Sequence, residues 1–197
     1  MRIVITKEIM KLSERRPILT PKIVSASLFI PIKTARRLLL HLEKTKRLHR
    51  ICKGYYTINF NPLVIGTFLN YPAYLSFLSA LSIRGLSTQI PKKYIFACLH
   101  RWRGKKDPLK KINIEYIKIP KRAFVGYIRQ KSKNDVYFIA EPEKAIADMI
   151  YVDKNPLNYD INWAKISLNK IQYYSKFYTK KIREKIQWII NEIHRRT

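Results

Sequence analysis

Residues 31–42 read PIKTARRLLLHL, and a turn of three residues, LFI, joins them to the preceding TPKIVSASL. Wound at about 100° per residue, the stretch puts Ala35, Leu38, Leu39 and Leu42 on one side. Lys33, Arg36, Arg37, Leu40 and His41 fall on the other, with Thr34 at an edge. The first side needs a core to cover it, and the second is held out toward something acidic. TPKIVSASL carries Thr20 as an N-cap and Pro21 at the first helical position, which is a strong helix start. A short helix, a tight turn and a longer helix with a basic face make the layout of a helix-turn-helix, whose second helix enters the major groove of DNA.

The flanking residues extend this layout. TKEIMKLSERR, from Thr6, reads as a first helix with Ile9 and Leu12 at helical spacing. RLHRICKGYYTI reads as a hairpin, with Lys53 and Gly54 supplying the turn between two short β-prone runs. A hairpin behind the reading helix makes the module a winged one. A domain boundary is expected where TINFNPLV meets an Asn-Pro turn, so that residues 1–61 form a winged helix-turn-helix domain and residues 62–197 a second domain.

The second domain reads as α+β, a small antiparallel sheet with closing helices. YPAYLSFLSALSIRG is expected to be one buried helix, starting at Pro72 and ending at Gly85. KYIFACL, INIEYIKI, VGYIRQ and DVYFIA have the composition of strands. In EPEKAIADMIYV, Pro142 opens a helix with Glu141 and Glu143 at the favourable end of its dipole. The last segment spaces Ile182, Ile186, Ile189 and Ile193 along one helix face.

Charge says what such a chain meets. Forty Lys and Arg stand against 13 acids in 197 residues, a formal net charge of +27. Residues 1–62 hold 14 of the cations and 3 of the acids, so both parts are basic. Nucleic acid is the leading partner, because its backbone rewards each Lys or Arg that displaces a counterion. The opening residues lack the apolar core and cleavage site of a signal peptide, and no apolar run approaches the ~18 residues of a membrane span. Cys52 and Cys98 are far apart with no CxxC pair, and His41, His49, His100 and His194 are scattered. The expectation is a cytoplasmic protein with no membrane association, no metal and no cofactor.

The chemistry suits double-stranded DNA. Arg36 or Arg37 can offer two parallel donors to guanine, and Lys33 can do the same or hold a phosphate. Thr34 can donate to a base or backbone oxygen, and Leu40 can meet a thymine methyl. Thr20 and Lys22 at a helix start suit a phosphate. Arg50, Lys53 and the backbone of Gly54 would lie against phosphate or reach the minor groove. The plainer alternative is a solvated basic face, or a module that binds protein.

The order of elements resembles the winged-helix regulators of toxin–antitoxin modules. YPAYLSFLSALSIRGLSTQIPKKYIFA and FIAEPEKAIADMIYV are similar to segments of the AbiEi-like antitoxins of the abortive-infection AbiE family, over roughly residues 6–155. The resemblance implies a DNA-binding antitoxin that represses its own operon, binding an operator that is an inverted repeat. It also implies opposition to a nucleotidyltransferase-like toxin encoded beside it. By match to the family's reading helix, Lys33, Thr34, Arg36 and Arg37 are the expected DNA contacts. Phe29 and Pro31 replace that family's small turn residue and polar cap, and Lys46 stands where Gly commonly ends the helix.

Three other groupings compete. Residues 92–133 carry 14 cations against Asp107 and Glu115. There Arg101, Arg103, Lys105, Lys106, Lys110 and Lys111, with His100 and Trp102, suit a second nucleic-acid contact, a site for an acidic toxin, or solvated loops. The alternative functions are an RNA-binding or ribosome-associated protein, or a protein-interaction module that sequesters a toxin. Glu141, Glu143 and Asp148 are the only clustered carboxylates, but Lys144 interrupts them and a strand-borne acid pair is missing. Ser76, Ser79 and Ser82 read as a close-packing stripe, since no His suggests a nucleophile. No glycine-rich phosphate loop occurs, and the chain is not expected to be an enzyme.

Overall fold

The computed structural model describes residues 2–104, 106–132 and 135–196. The chain folds as α+β in two compact units, Met1–Leu69 and Asn70–Thr197. The division falls eight residues later than the Asn-Pro turn suggests, because helix Pro62–Leu69 goes with the first unit.

The first unit begins with α1 (Arg2–Arg15), α2 (Pro21–Leu28) and α3 (Ile32–Lys44). A two-stranded antiparallel hairpin follows, β1 (His49–Cys52) and β2 (Tyr55–Thr57), and then α4 (Pro62–Leu69). Helix α1 starts four residues before the Thr6 cap expected of it. Thr20 caps α2 as expected, its Oγ1 accepting from Ile23 N at 3.2 Å. Gly54 turns the hairpin at φ +84°, a conformation that favours glycine. The core gathers Ile9, Leu19 and Val24 with Leu38, Leu39 and Leu42 of α3, closed by Leu48 and Tyr56. Leu19 exchanges two backbone hydrogen bonds with Tyr56, at 2.8 and 2.9 Å, so the segment entering α2 is tied to the hairpin.

In the second unit, strands β3 (Ala73–Leu75), β4 (Tyr94–Cys98), β5 (Ile114–Lys118), β6 (Tyr127–Ser132) and β7 (Asp135–Ala140) form one sheet in the order β5-β4-β3-β7-β6. The sheet is mixed, not antiparallel: β3 runs parallel to β7, and β4 parallel to β5. Part of the difference traces to β3, which lies inside the stretch that reads as one helix. Ala73, Tyr74 and Leu75 are all buried, so they show no alternation to mark a strand. The helix that remains, α5 (Phe77–Ile83), is half as long as expected. Helix α6 (Lys106–Lys111) makes the crossover that the parallel β4–β5 pair requires. Helices α7 (Pro142–Tyr151), α8 (Leu168–Ser175) and α9 (Lys180–Arg196) complete the unit.

Helix α7 is buried from Glu143 to Ile150 on every side, including three charged residues. Asp148 is the centre of the network that holds Lys144. Its Oδ2 accepts from Ser76 Oγ at 2.6 Å and from Tyr74 OH at 3.1 Å. Its Oδ1 accepts from Tyr178 OH at 2.6 Å and from Lys144 Nζ, one helical turn away. Lys144 also reaches Tyr178 OH at 2.6 Å. Burial pushes the Lys144 ammonium down from its ordinary pKa, and Asp148 opposes that shift. Burial and then the Asp148 charge push the Tyr74 and Tyr178 phenols up, so both remain donors. Ser76 and Ser79 are therefore bonding residues rather than a packing stripe: Ser79 Oγ donates to Lys93 O and accepts from Ile95 N, each at 3.0 Å.

Asp148→Ala should destabilise the second unit by about 3–5 kcal/mol, since it strands a buried ammonium and three hydroxyls. Lys144→Met should cost less, because three hydroxyls still hold the carboxylate. Denaturant unfolding of the full chain measures both, and a reversed order would contradict the network's centre at Asp148.

Candidate nucleic-acid interface

Helix α3 positions its side chains as helical spacing demands. Ala35, Leu38, Leu39 and Leu42 are at most 4% exposed. Lys33, Arg36, Arg37 and His41 are exposed, Thr34 is half-buried, and Leu40 is 36% exposed. The face assignment thus holds, including the position of Leu40 among the cations.

A groove of about 600 Å³ opens on this face. Arg36 and Leu40 of α3 line one wall, Arg50, Lys53 and Gly54 of the hairpin another, and Lys22 of α2 a third. Six residues singled out from three separate stretches of sequence therefore converge. Lys33, Thr34, Arg37 and His41 stay on the exposed face of α3 outside the groove. Thr20 is engaged as the cap of α2, which directs its Oγ1 at Ile23 N rather than outward. Arg50 has an acidic neighbour, Glu43, with Nη1 3.9 Å from the carboxylate, an exposed pair of little strength.

Pro21, Ile32 and Tyr56 also line the groove and were missed by sequence reasoning. Ile32 was within reach of it: positions 32, 36 and 40 are successive i, i+4 neighbours on one stripe. Tyr56 was not, because the hairpin brings it there through the bridge to Leu19. Its phenol is pushed up by burial, against the pull of the Arg50 charge.

The two helix ends that depart from the expected residue types keep the expected geometry. Phe29, 94% exposed, ends α2 at φ +51°, and Lys46 follows α3 at φ +55°. Both occupy the left-handed region that suits glycine, and Phe29 meets no core. Pro31 is the N-cap of α3 and offers no side-chain bond to its first turn.

The second basic grouping is less convergent. Arg101, Arg103, Lys110 and Lys111 are exposed; Lys105 and the side chain of Lys106 lie outside the described residues. Trp102 is half-buried, its ring stacked on Tyr116 at 5.9 Å and 27°, so part of its face is engaged within the protein. Lys93 pairs with Glu115 at 3.2 Å. The three clustered carboxylates diverge instead of forming a site. Glu141 accepts from Tyr174 OH and Lys170 Nζ, Glu143 from Ser167 N, and Asp148 from its four buried donors. Among the described residues no group of three or more His, Cys, Asp or Glu is placed to hold a metal ion. No helix among them is long and apolar enough to cross a membrane. Cys52 and Cys98 are free, and burial pushes the Cys98 thiol up to about 11.

No protein-family model matches this chain, and no curated protein matches it. The crystal structure of the RV2827C protein from Mycobacterium tuberculosis is similar to it in fold, with a TM-score of 0.55 at 12% identity. The match covers 90% of this chain and 72% of that one.

Phe29→Gly should stabilise the first unit by about 0.5–1 kcal/mol, as relief of the left-handed penalty outweighs the added chain entropy. A thermal melt of the full chain checks the sign; an unchanged or lower midpoint would mean that Phe29 makes a stabilising contact.

Proposed function

We propose that the chain is a sequence-specific double-stranded DNA-binding transcriptional regulator whose first unit is a winged helix-turn-helix. The observation that carries this is the shared groove, in which Arg36 and Leu40 of α3 face the hairpin's Arg50, Lys53 and Gly54. In this reading α3 is the reading helix in the major groove. Arg36 is the bidentate reader of a guanine edge, and Leu40 meets a thymine methyl. Lys33, Arg37 and His41, exposed along the same helix, and the half-buried Thr34 contact the flanking backbone or neighbouring bases. Lys22, Arg50 and Lys53 hold phosphates and fix the register, while Gly54 lets the hairpin backbone come close to the duplex. The net charge of +27 supports a strong nonspecific component.

The reading extends to an antitoxin that represses its own operon and opposes a nucleotidyltransferase-like toxin in the cytoplasm. The resemblance in residues 6–155 supports that part. A binding protein rather than an enzyme is favoured because Glu141, Glu143 and Asp148 are each committed to a different partner.

Fluorescence anisotropy with DNA from upstream of the chain's own reading frame tests the DNA reading. Arg36→Ala should weaken the specific complex by about 1–3 kcal/mol and relax preference at one base. Lys53→Ala should weaken all sequences alike and reduce the salt slope by about 1. Equal affinity for scrambled DNA, in wild type and both variants, would overturn sequence-specific reading. Co-expression with the neighbouring reading frame tests the antitoxin part: growth arrest that this chain does not relieve would count against it.

A further inference from the structure

Helices α8 and α9 flank a second, open groove, of about 760 Å³, within the second unit. Lys176, Lys180 and Arg183 line it, all exposed, against one carboxylate, Glu184. Lys180 and Arg183 have no ion-pair partner among the described residues. Lys180 and Arg183 are not placed to complement the helix dipole. Lys180, Lys181 and Arg183 crowd the first turn of α9, which contains no acid, where the helix dipole disfavours positive charge. Tyr173 stands at the same groove with 53% of its surface exposed. Tyr174 and Phe177 meet its ring at steep angles, 67° and 80°, and so support it without stacking on it. Lys176 Nζ lies 5.9 Å from the ring centroid. The amides of Gln172 and Gln187, bonded to each other at 3.2 Å, also line the groove.

We infer that this groove binds a short segment of single-stranded nucleic acid, with a base stacked on Tyr173 and its phosphates on Lys176, Lys180 and Arg183. An aromatic ring beside unpaired cations suits that ligand, because any base offers a face to stack while the backbone follows the charge. Gln172 and Gln187 offer donors and acceptors to base edges. A duplex buries its base faces in its own stack and has no use for the ring. The inference is independent of the duplex reading, which concerns the first unit.

The test uses the full chain and labelled ten-mers of thymidine and of uridine, with unrelated duplex and polyglutamate as competitors. Measurements are made in wild type and in an Arg36→Ala/Lys53→Ala background, so that the first unit does not mask the second. Tyr173→Leu should lower single-strand affinity about 5-fold or more, and Tyr173→Phe should retain it. Lys180→Gln with Arg183→Gln should reduce the salt slope by about 1.4, two contacts at roughly 0.7 each. Glu184→Gln should tighten binding. Duplex affinity should stay within about 2-fold throughout, and circular dichroism checks that each variant folds. A preference for one ten-mer assigns the natural ligand to DNA or RNA. Unchanged single-strand affinity in Tyr173→Leu would overturn the inference. So would equal losses toward duplex, or polyglutamate displacing the ten-mers at matched charge, since these show a plain cationic surface or a site for an acidic protein.

Discussion

Asp148 accepts four hydrogen bonds in the interior of the second unit, and its donors come from every layer around it. Tyr74 and Ser76 reach it from β3 and the turn beyond, Lys144 from α7, and Tyr178 from the turn between α8 and α9. A charge left unpaired in such surroundings costs several kcal/mol (on the order of 3–5 for a broken buried pair), so each donor's position is tightly specified. One consequence is visible in the backbone. Phe77 directly follows Ser76, is fully buried, and sits at φ +58°, an outlier for a bulky residue. Strain of this kind costs about 1–3 kcal/mol and persists where the surroundings over-determine the conformation. They do so here: Ser76 N donates to Ile95 O at 3.0 Å while its hydroxyl is held by Asp148.

The same carboxylate shows how the chain distributes a scarce resource. With 13 acids for 40 cations, most Lys and Arg can have no acidic partner. Several of the acids near the surface do find one: Glu8 with Lys11, Glu115 with Lys93, Glu141 with Lys170, Asp153 with Lys185 and Glu192 with Arg195. Exposed pairs of this sort are weak, and they leave the net repulsion almost untouched. Cations concentrated on a groove, where they outnumber the acids, raise the local potential and attract a polyanion most strongly there. In the two grooves cations stand beside surfaces that can do more than attract: apolar and turn residues in one, an exposed ring in the other.

What was legible in the sequence followed periodicity. The faces of α3 were, because a run of thirteen helical residues repeats its pattern often enough to fix which side is buried. The hairpin was legible from Lys53-Gly54, and α2 from Thr20-Pro21. Strand β3 was not, because three residues buried on both faces carry no period. Missing it also hid the parallel pairings, which pass through β3 and through the crossover at α6. The Asp148 network was half-visible. Lys144 and Asp148 stand four apart in a mostly apolar helix, the spacing of a pair on one face. Nothing local shows that Ser76, 72 residues away, completes it. The groove was likewise readable on α3 and unreadable at Tyr56, which arrives through a bridge of long sequence separation.

Leu40 gains its meaning from that combination. A single exposed leucine is ordinary and needs no explanation. Here it is one of two, with Ile32 a helical turn to the other side of Arg36, and both line the groove that the guanidinium enters. Apolar neighbours of this kind contribute little attraction to a charged ligand. Their effect is on water: once a partner closes over them, they exclude solvent from the hydrogen bonds between them, and bonds in a drier, less polarisable setting are stronger and more sensitive to misplacement. A guanidinium flanked by lysines would hold any phosphate. A guanidinium flanked by Ile32 and Leu40 loses more when its donors go unmatched, because the water that would have satisfied them is gone. On the proposed reading of α3, the two exposed aliphatic residues therefore turn a general cationic attraction at Arg36 into a preference for one arrangement of acceptors.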